Sequence, residues 1–291
     1  MNKIKIFSDS SIDLSKDLLE ENPVNIIPMN IIMGEDSYID KVDVNAIDVI
    51  NYGEMHKKTP QTASPTYERF EQALSTLEED EIALLILISD KASSGTHLVA
   101  KACIEDLRLQ DRAFIINTGS VSAGVGLIVY KAHQLMKEID DINLLITKLN
   151  KFVRSMSSTF VIDKLDYLYY GGRCSSLSLM FTKGLKIRPQ IEMVNGEMKV
   201  TKKYRGSLLK VHDKYISELK DDLENIDPDI LIVANTPTEE DLRNNFRLKL
   251  EELDYFNRIE FADSSSTITS HAGPNTFGMF YIKKERSLEK A

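Results

Sequence analysis

The sequence predicts an α/β protein with two domains. The N-terminal domain has a Rossmann-like parallel sheet, and the C-terminal α/β domain has a mixed or antiparallel sheet. Three observations support this prediction. The chain has 291 residues, which is long for a single hydrophobic core. Strand and helix patterns alternate along the first half, as in parallel α/β sheets. In the second half, two alternating strand patterns flank an Asn-Gly pair, which is a strong hairpin signal. We place the domain boundary near residue 155, which gives domains 1–155 and 156–291.

The elements of the first half follow one another in strand-helix order. Lys3–Phe7 is the first predicted strand, and the helix after it is capped by Asp13 or Ser15. An extended segment and a helix lead to the predicted loop Thr59–Thr66. Ile82–Ser89 is apolar on both faces, which predicts a central parallel strand. A helix, the strand "AFIIN", the small-residue turn "TGSVSAGVG" and another helix follow, so each strand is followed by the crossover that a parallel neighbour needs.

The second half begins with the predicted strand Ser158–Asp163. Lys183–Gly206 predicts two strands that turn at Asn195 and Gly196, because Asn-Gly pairs accept the positive φ angles of tight hairpins. A long helix, the strand "DILIVAN", a further helix and two final strands complete the chain. Strands that are adjacent in sequence indicate a mixed or antiparallel sheet with helices on one face.

Composition excludes several classes of function. The chain carries 36 Lys and Arg against 45 Asp and Glu, a net charge of −9, which argues against nucleic-acid binding and against more than transient membrane contact. Cys103 and Cys174 form no metal-ligand motif, so we expect no metal and no other cofactor. The N-terminal "MNKIKIFSDS" lacks the pattern of a signal peptide, and the longest apolar run is too short to span a bilayer. We therefore expect a cytoplasmic protein.

Two hydroxyl-rich segments are candidate ligand contacts. In "ISDKASSGTHL" a buried strand ends and a helix begins at Ser94 or Gly95, where unpaired helix amides favour an anion and the Ser94 hydroxyl can donate. The alternative is that Ser93 or Ser94 only caps the helix. In "TASPT", Thr62 lies in a loop held by a proline, and the alternative is a plain turn with a cap at Thr66.

Two further segments carry a cation and an imidazole. Arg173 follows two glycines in "YLYYGGRCSS", and its planar guanidinium matches a carboxylate or a phosphate. The alternative is a surface arginine after a short helix that ends at Gly171. His271 lies in "SHAGPNTFG", a predicted loop between strands, whereas the other four histidines fall in predicted helices.

An enzyme is a competing interpretation of these segments. Ser94 and His271 would be the nucleophile and the base of a lipid esterase or acyl transferase. No GxSxG nucleophile elbow supports it, and the chain also lacks GxxxxGK[ST], HExxH and a GxGxxG after the first strand. The esterase stays open as an alternative, as does a carrier of another apolar carboxylate.

Taken together, these segments resemble the DegV family of fatty-acid-binding proteins that serve bacterial fatty acid kinase. "SDSSIDL" is similar to the family's SDSTADL, "TASPT" to TSQPS, and "SSGTHLVA" to LSGTYQSA. "GSVSAGVG" is similar to its DS-x-S-x-S-x-G-x-G turn, and "YLYYGGRCSS" to YLKKGGRIS. "KGLKIRPQIEMVNGEM" matches the hairpin LLNIKPIL…DG, and "SHAGPNTFG" matches HTGPGALG. Their common order and spacing make the resemblance specific, and it runs nearly end to end.

The resemblance implies a DegV-like fold that buries a long-chain fatty acid, with the carboxyl group at the domain interface. The protein would be a non-catalytic, lipid-binding subunit. It would present the acid to a separate ATP-dependent fatty acid kinase, and the product would enter acyl transfer in phospholipid synthesis. The ligand contacts carried over by matching motif positions are Thr62, Ser94, Gly95, Arg173 and His271. Arg205, in "KKYRG", matches a basic position thought to face the kinase.

This sequence departs from the family pattern at a few positions near these motifs. Ala63 and Ser64 replace Ser-Gln in the first loop, so its hydrogen bonds are expected to differ. Cys174 replaces an aliphatic residue, and Gly119 lies in the segment where the family has an aspartate-serine pair. Asn275 replaces a glycine, and asparagine also accepts positive φ at a modest penalty. None of these changes removes a ligand contact implied by the resemblance.

Overall fold

Strands and helices alternate through the N-terminal half in the computed structural model, which describes residues 3–174 and 187–284. The strands are β1 (Lys3–Asp9), β2 (Asn25–Ile27), β3 (Asn30–Met33), β4 (Asp36–Ile39), β5 (Gln61–Ala63), β6 (Glu81–Leu87) and β7 (Ala113–Asn117). The helices are α1 (Lys16–Glu21), α2 (Ala46–His56), α3 (Tyr67–Leu74), α4 (Ser94–Asp106), α5 (Ala123–Met136) and α6 (Ile142–Ser155).

Four of these strands form a parallel sheet in the order β2-β1-β6-β7. Every residue of β6 is buried, because this strand is central in the sheet and packs on both faces, as its unbroken apolar sequence predicts. The helix after β1 is capped by Ser15, whose hydroxyl accepts a hydrogen bond from the Leu18 amide at 3.2 Å. The predicted parallel α/β arrangement of this half is therefore confirmed.

The C-terminal half contains strands β8 to β13 and helices α7 to α10. The strands are β8 (Met156–Val161), β9 (Ile187–Val194), β10 (Glu197–Arg205), β11 (Leu231–Asn235), β12 (Ile259–Asp263) and β13 (Phe277–Ile282). The helices are α7 (Leu165–Tyr170), α8 (Leu208–Asp221), α9 (Glu240–Glu251) and α10 (Ser266–Ala272).

The six strands form one mixed sheet in the order β10-β9-β8-β13-β11-β12, in which β11 and β12 are parallel and the other pairs antiparallel. The predicted hairpin is present: β9 and β10 pair around Asn195 and Gly196, which have φ angles of 52° and 81°. The start of that predicted segment, at Lys183, lies outside the described residues. The mixed sheet confirms the predicted fold class, and the division into domains at residue 155 stays a prediction.

Helix α5 joins the two large sheets. It contacts β6 of the parallel sheet and both β11 and β13 of the mixed sheet. Its apolar side chains are buried in the largest hydrophobic cluster, which contains Leu84 from β6 together with Ile232 and Phe280 from the mixed sheet. Burial of apolar surface on both sides of one helix holds the halves together.

Two short elements differ from the sequence prediction. The predicted loop around Thr62 contains β5, which pairs with β3 in a three-stranded antiparallel sheet of order β4-β3-β5. The predicted loop around His271 contains the end of helix α10. Strand β5 has only three residues, and α10 is rich in Ser and Thr, which favour a helix weakly, so tertiary contacts determine the conformation of both elements.

Candidate functional site

A cavity of about 480 Å³ lies between the two halves of the chain. Part of its wall is apolar and includes Met29, Val121, Phe160, Leu168 and Phe280. Another part contains all five residues proposed from the sequence as ligand contacts: Thr62, Ser94, Gly95, Arg173 and His271. The cavity therefore combines an apolar surface with hydroxyl, amide, imidazole and guanidinium groups, which is the general make-up of a small-molecule site.

Thr62 and His271 form the central polar contact of this wall. Thr62 lies on β5 opposite Ile31 of β3, and His271 lies in the last turn of α10. The distance from Thr62 Oγ1 to His271 Nε2 is 2.8 Å, which is a hydrogen bond. His271 is therefore in a helix, contrary to the predicted loop, and the bond crosses from one half of the chain to the other.

The His271 ring is held in its neutral form. Burial lowers its pKa to about 3, and the positive charge of Arg173 lowers it further in the same direction. Nδ1 is buried and has no hydrogen-bond partner among the described residues. It faces Gly171, where a Cβ atom would lie only 2.4 Å from Nδ1, so glycine is needed at this position for the ring to pack.

Ser94 and Gly95 form the first turn of α4, after β6 has ended at Leu87. Ser94 is exposed and lines the cavity. Ser93 is at the cap position, yet its hydroxyl forms a hydrogen bond with Thr96 Oγ1 at 2.9 Å and caps no helix amide. A Cβ atom at Gly95 would lie 2.4 Å from Ser64 Oγ, so glycine lets the segment after β5 approach this helix end. The first residues of α4, Ser94 and Gly95, thus line the cavity together with Thr62.

Asp9, the last residue of β1, is hydrogen-bonded to the chain just after β6, in the segment that leads to α4. Its buried carboxylate accepts hydrogen bonds from the Ile88 amide at 2.8 Å and from the Ser11 amide at 3.0 Å. Burial raises the pKa of this carboxyl group, and the hydrogen bonds oppose that effect. Asp9 therefore holds neighbouring amides and hydroxyls in place, as expected of a polar residue between a strand and a helix.

Arg173 turns back toward the cavity after α7 ends. Gly172 has a φ of 69°, which permits the reversal of the chain. Arg173 is half-buried, and its Nη1 donates a hydrogen bond to the Gly171 carbonyl at 2.6 Å. Within residues 3–174 and 187–284, no carboxylate forms a salt bridge with it. Burial lowers the pKa of the guanidinium, so an anion in the cavity would find a partly desolvated cation there.

Arg205 does not join this group. It is the exposed last residue of β10, the strand at the edge of the mixed sheet, and it does not line the cavity. Several other polar residues of the wall were not proposed as ligand contacts from the sequence: Ser64, Lys91, Ser122, Thr236, Ser264, Thr267 and Thr276. Ser64 follows Thr62 by two positions, and Lys91 precedes Ser94 in the same loop, so proximity in sequence was the available signal.

The geometry does not form a serine-histidine pair of the hydrolase type. His271 Nε2 is hydrogen-bonded to Thr62, and Nδ1 faces Gly171, so neither ring nitrogen is hydrogen-bonded to Ser94 in the described structure. A general base must reach the proton that it removes.

The described residues also contain no cluster of three His, Cys, Asp or Glu side chains suited to a metal ion. No helix within those residues has the length and apolar character needed to cross a membrane.

These features define a class: α/β proteins in which a parallel and a mixed sheet enclose a cavity with a polar wall at the junction. The chain belongs to the DegV family. The sequence profile of this family, described as "Uncharacterised protein, DegV family", matches residues 3–284. A DegV domain-containing protein of Clostridium perfringens is 30% identical over 288 residues, which cover 98% of this chain and 100% of the relative. The resemblance seen in the sequence motifs is thereby confirmed at the level of the family.

Solved structures of the family share the fold. A DegV family protein from Thermus thermophilus, described by its fatty acid binding, has a TM-score of 0.85 and 22% identity, and the match covers 97% of this chain and 100% of that one. A stearic acid-binding protein from Eubacterium ventriosum has a TM-score of 0.85 and 23% identity, covering 98% and 99%. DegV from Bacillus subtilis, described as a fatty acid binding protein, has a TM-score of 0.81 and 19% identity, covering 98% and 100%.

Proposed function

We propose that this protein binds a long-chain fatty acid in the cavity between its halves. The observation that carries the proposal is the Thr62–His271 hydrogen bond beside Arg173, in the wall of a cavity that also has an apolar part formed by side chains such as Phe160, Leu168 and Phe280. The names of the solved relatives, which include fatty-acid-binding and stearic acid-binding proteins, support the same ligand class. The carboxylate would lie against Thr62, Ser94, Gly95, Arg173 and His271.

The acyl chain would supply most of the affinity. Each buried CH₂ group contributes about 0.8 kcal/mol, so a long chain gains far more than a short one. The carboxylate must lose its water on entering the cavity, and a buried anion without partners is very costly. Hydroxyl groups, helix amides and a guanidinium in one wall offset that loss, since hydrogen bonds to a charged acceptor are stronger than neutral ones.

The environment of His271 sets the direction of the hydrogen bonds. A neutral imidazole carries one N–H and one bare nitrogen. Nδ1 is buried and has no partner in the part of the chain that the structure describes. Because a buried unpaired N–H is more costly than an unpaired lone pair, we assign the proton to Nε2. Nε2 then donates to Thr62 Oγ1, and the Thr62 hydroxyl is free to donate to the carboxylate. Thr62 therefore acts as the donor that meets the ligand, and His271 orients it.

The protein itself would perform no chemistry on the acid. It would hold the acid for a separate ATP-dependent fatty acid kinase, and the acyl phosphate would then serve acyl transfer in phospholipid synthesis in the cytoplasm. The sequence has no phosphate-binding loop of the GxxxxGK[ST] type, which agrees with a division of labour between two proteins. Arg205, exposed at the end of β10, is the proposed contact for the kinase.

Mass spectrometry of lipid extracted from the purified protein tests the proposal. We expect a long-chain acid at close to one molecule per chain, and a much lower occupancy in the double variant Thr62→Val with Arg173→Ala. A wild-type protein that carries no acid and takes none up from added stearic acid would contradict the proposal. Turnover of an ester that is abolished by Ser94→Ala would instead support the esterase alternative, and a different bound carboxylate would redefine the ligand.

A further inference from the structure

Helix α10 begins inside the other half of the chain. The carboxylate of Asp40, the residue after β4, accepts hydrogen bonds from the Ser266 amide at 3.1 Å, the Thr267 amide at 3.4 Å and the Thr267 hydroxyl at 2.6 Å. Ser10 Oγ donates to the same carboxylate at 2.8 Å. Asp40 is fully buried, and all these donors are neutral. A residue of the N-terminal half thus caps a helix of the C-terminal half.

A second buried carboxylate fixes the residue just before the helix. Asp13 Oδ1 accepts a hydrogen bond from the Ser265 amide at 2.8 Å, and its Oδ2 accepts one from Ser122 Oγ at 2.6 Å. Ser265 also forms the helix's own cap, because its hydroxyl accepts from the Ile268 amide at 3.3 Å. The two aspartates therefore bind consecutive amides of the chain, where α10 starts.

Helix α10 needs this support because its sequence favours a helix weakly. Its seven residues, Ser-Thr-Ile-Thr-Ser-His-Ala, include four Ser or Thr, whose side chains compete for backbone hydrogen bonds. Isolated helices of this length are unstable in water. The conformation of α10 therefore depends on its packing against α2, α7, β3 and β5 and on the carboxylates at its start.

The end of the same helix carries His271. His271 comes five positions after Ser266, which is about 7.5 Å along a helix axis. Both ends meet the three-stranded sheet: Asp40 directly follows β4, and Thr62 lies on β5, with β3 between the two strands. The helix thus spans this small sheet, held by Asp40 at its start and hydrogen-bonded to Thr62 at its end.

We propose that Asp40 is a positioning residue: by capping α10 from the other half of the chain, it sets the His271 ring against Thr62 and thereby controls affinity for a carboxylate head group. The part concerning affinity rests on the proposed fatty-acid function. Asp40 does not line the cavity, whereas Thr267, whose hydroxyl it binds, does, so an effect through His271 has to be distinguished from a direct effect at Thr267. Asp13, on the preceding amide, assists in the same way.

The test compares a fatty acid with the alcohol of the same chain length. Both bury the same apolar tail, but only the acid needs the charged head-group contacts. We expect Asp40→Ala to weaken stearic acid binding about tenfold, the size of a lost helix cap, while stearyl alcohol binding changes less than about twofold. Asp43→Asn, in the exposed turn after β4, is the matched control. An equal loss for acid and alcohol would contradict the proposal, because it would indicate general loosening of the cavity.

A double-variant cycle tests transmission through His271. If Asp40 acts through that ring, Asp40→Ala should add less than about twofold to the loss already caused by His271→Ala, because the two residues act as one unit. Additive losses would contradict the proposal. Asp40→Asn keeps the size of the side chain and one acceptor oxygen, so we expect it to recover part of the acid affinity.

A spectroscopic measurement keeps the proposal testable if Asp40→Ala does not fold or if the protein binds no fatty acid. In ligand-free protein, the ¹⁵N chemical shifts of His271 report which ring nitrogen carries the proton. We expect one tautomer, protonated at Nε2, in the wild type, and exchange between tautomers in Asp40→Asn. Unchanged shifts would contradict the positioning of His271, whereas failure of the wild type to bind any acid would contradict only the proposed function.

Discussion

Thr62 and His271 are 209 positions apart in the chain, and yet Thr62 Oγ1 and His271 Nε2 are within 2.8 Å of each other. The bond joins β5, an edge strand of the three-stranded sheet, to α10, the short helix between β12 and β13 of the mixed sheet. It is the point where the two halves jointly form the polar wall of the cavity. The predictions below test this wall and the buried charges around it.

The first prediction concerns the hydroxyl groups. Thr62→Val keeps the shape of the side chain but removes the donor, so we expect fatty-acid affinity to fall by about ten- to a hundredfold, the range for a hydrogen bond to a charged group. Ser94→Ala should weaken binding about tenfold for the same reason. Isothermal titration with stearic acid measures both, with the exposed Ser75→Ala as the control. Unchanged affinity in both variants would contradict the head-group assignment.

The second prediction concerns Arg173. Replacement by Ala removes the partly buried cation of the cavity wall, and we expect fatty-acid affinity, or phosphorylation of the bound acid in an assay coupled to the kinase, to be lost. Lysine would restore only part of it, because it lacks the planar fork of the guanidinium. Arg154→Ala, on the exposed side of α6, is the matched control. Full binding together with full phosphorylation in Arg173→Ala would refute the role.

The third prediction concerns a pair of glycines. Gly171→Ala would place a Cβ atom 2.4 Å from His271 Nδ1, so we expect the ring to move and acid affinity to fall about tenfold. Gly172→Ala meets no atom within 4 Å but has a φ of 69°, so we expect a loss of stability of about 1 kcal/mol with binding retained. A fatty-acid titration followed by fluorescence measures the affinity of each variant, and urea unfolding measures its stability. Equal affinity in both variants would show that contact with His271 is unimportant.

The fourth prediction concerns the protonation of His271. Its pKa, lowered to about 3 by burial and by the charge of Arg173, keeps the ring neutral at every pH at which the protein is normally handled. We expect the imidazole signals of His271 to remain unchanged between about pH 5 and pH 8, while an exposed histidine titrates near its ordinary pKa of about 6.5. A midpoint near 6.5 for His271 would show that its ring is solvated and would undermine the assigned tautomer.

The fifth prediction concerns Asp13. Burial raises its pKa to about 6, and Asp40 adds to this effect, while Lys41 and the donors Ser122 and Ser265 oppose it. Between about pH 4 and pH 6 Asp13 in the folded protein therefore holds a proton that it has lost in the unfolded chain, and the contribution of Asp13 to stability falls as pH rises through this window. At neutral pH the raised pKa of Asp13 lowers the free energy of unfolding by about 3 kcal/mol. Asp13→Asn should remove this falling contribution, so the stability of the variant relative to wild type should increase from pH 4 to pH 6.

Urea unfolding from pH 4 to pH 8 measures that effect as the difference between the variant and the wild type. The exposed Asp140→Asn provides the control, because its side chain lies in water in both states. A stability difference between wild type and Asp13→Asn that stays constant from pH 4 to pH 6 would contradict the assigned charge cost.

Local patterns predicted much of the fold. The buried strand β6, the cap at Ser15 and the hairpin at Asn195 and Gly196 each depend on a few neighbouring residues, so a single sequence carries their signal. The motifs around Thr62 and His271 indicated candidate ligand contacts, but not the strand and the helix that hold them. Both elements are short, and their stability comes from partners far away in the chain.

Asp40 shows the limit of prediction from sequence most clearly. Nothing near it in the sequence marks it as a helix cap, because the amides that it binds lie 226 and 227 positions further along. The sequence left two interpretations of Arg173 open, a surface arginine after a helix end and a contact for an anion. Its position in the cavity wall depends on how the halves pack, which local spacing does not encode.

The crossing of α10 into the other half also has a consequence for the order of assembly during synthesis. During synthesis, the N-terminal half leaves the ribosome before residues 265–267 have been made. Until then, the carboxylates of Asp13 and Asp40 lack the backbone amides that they bind in the folded protein. The cavity wall is likewise incomplete until His271 is made. The parallel sheet can form early, but a lipid-competent protein requires this late, long-range docking step, which is the slow kind of step in folding.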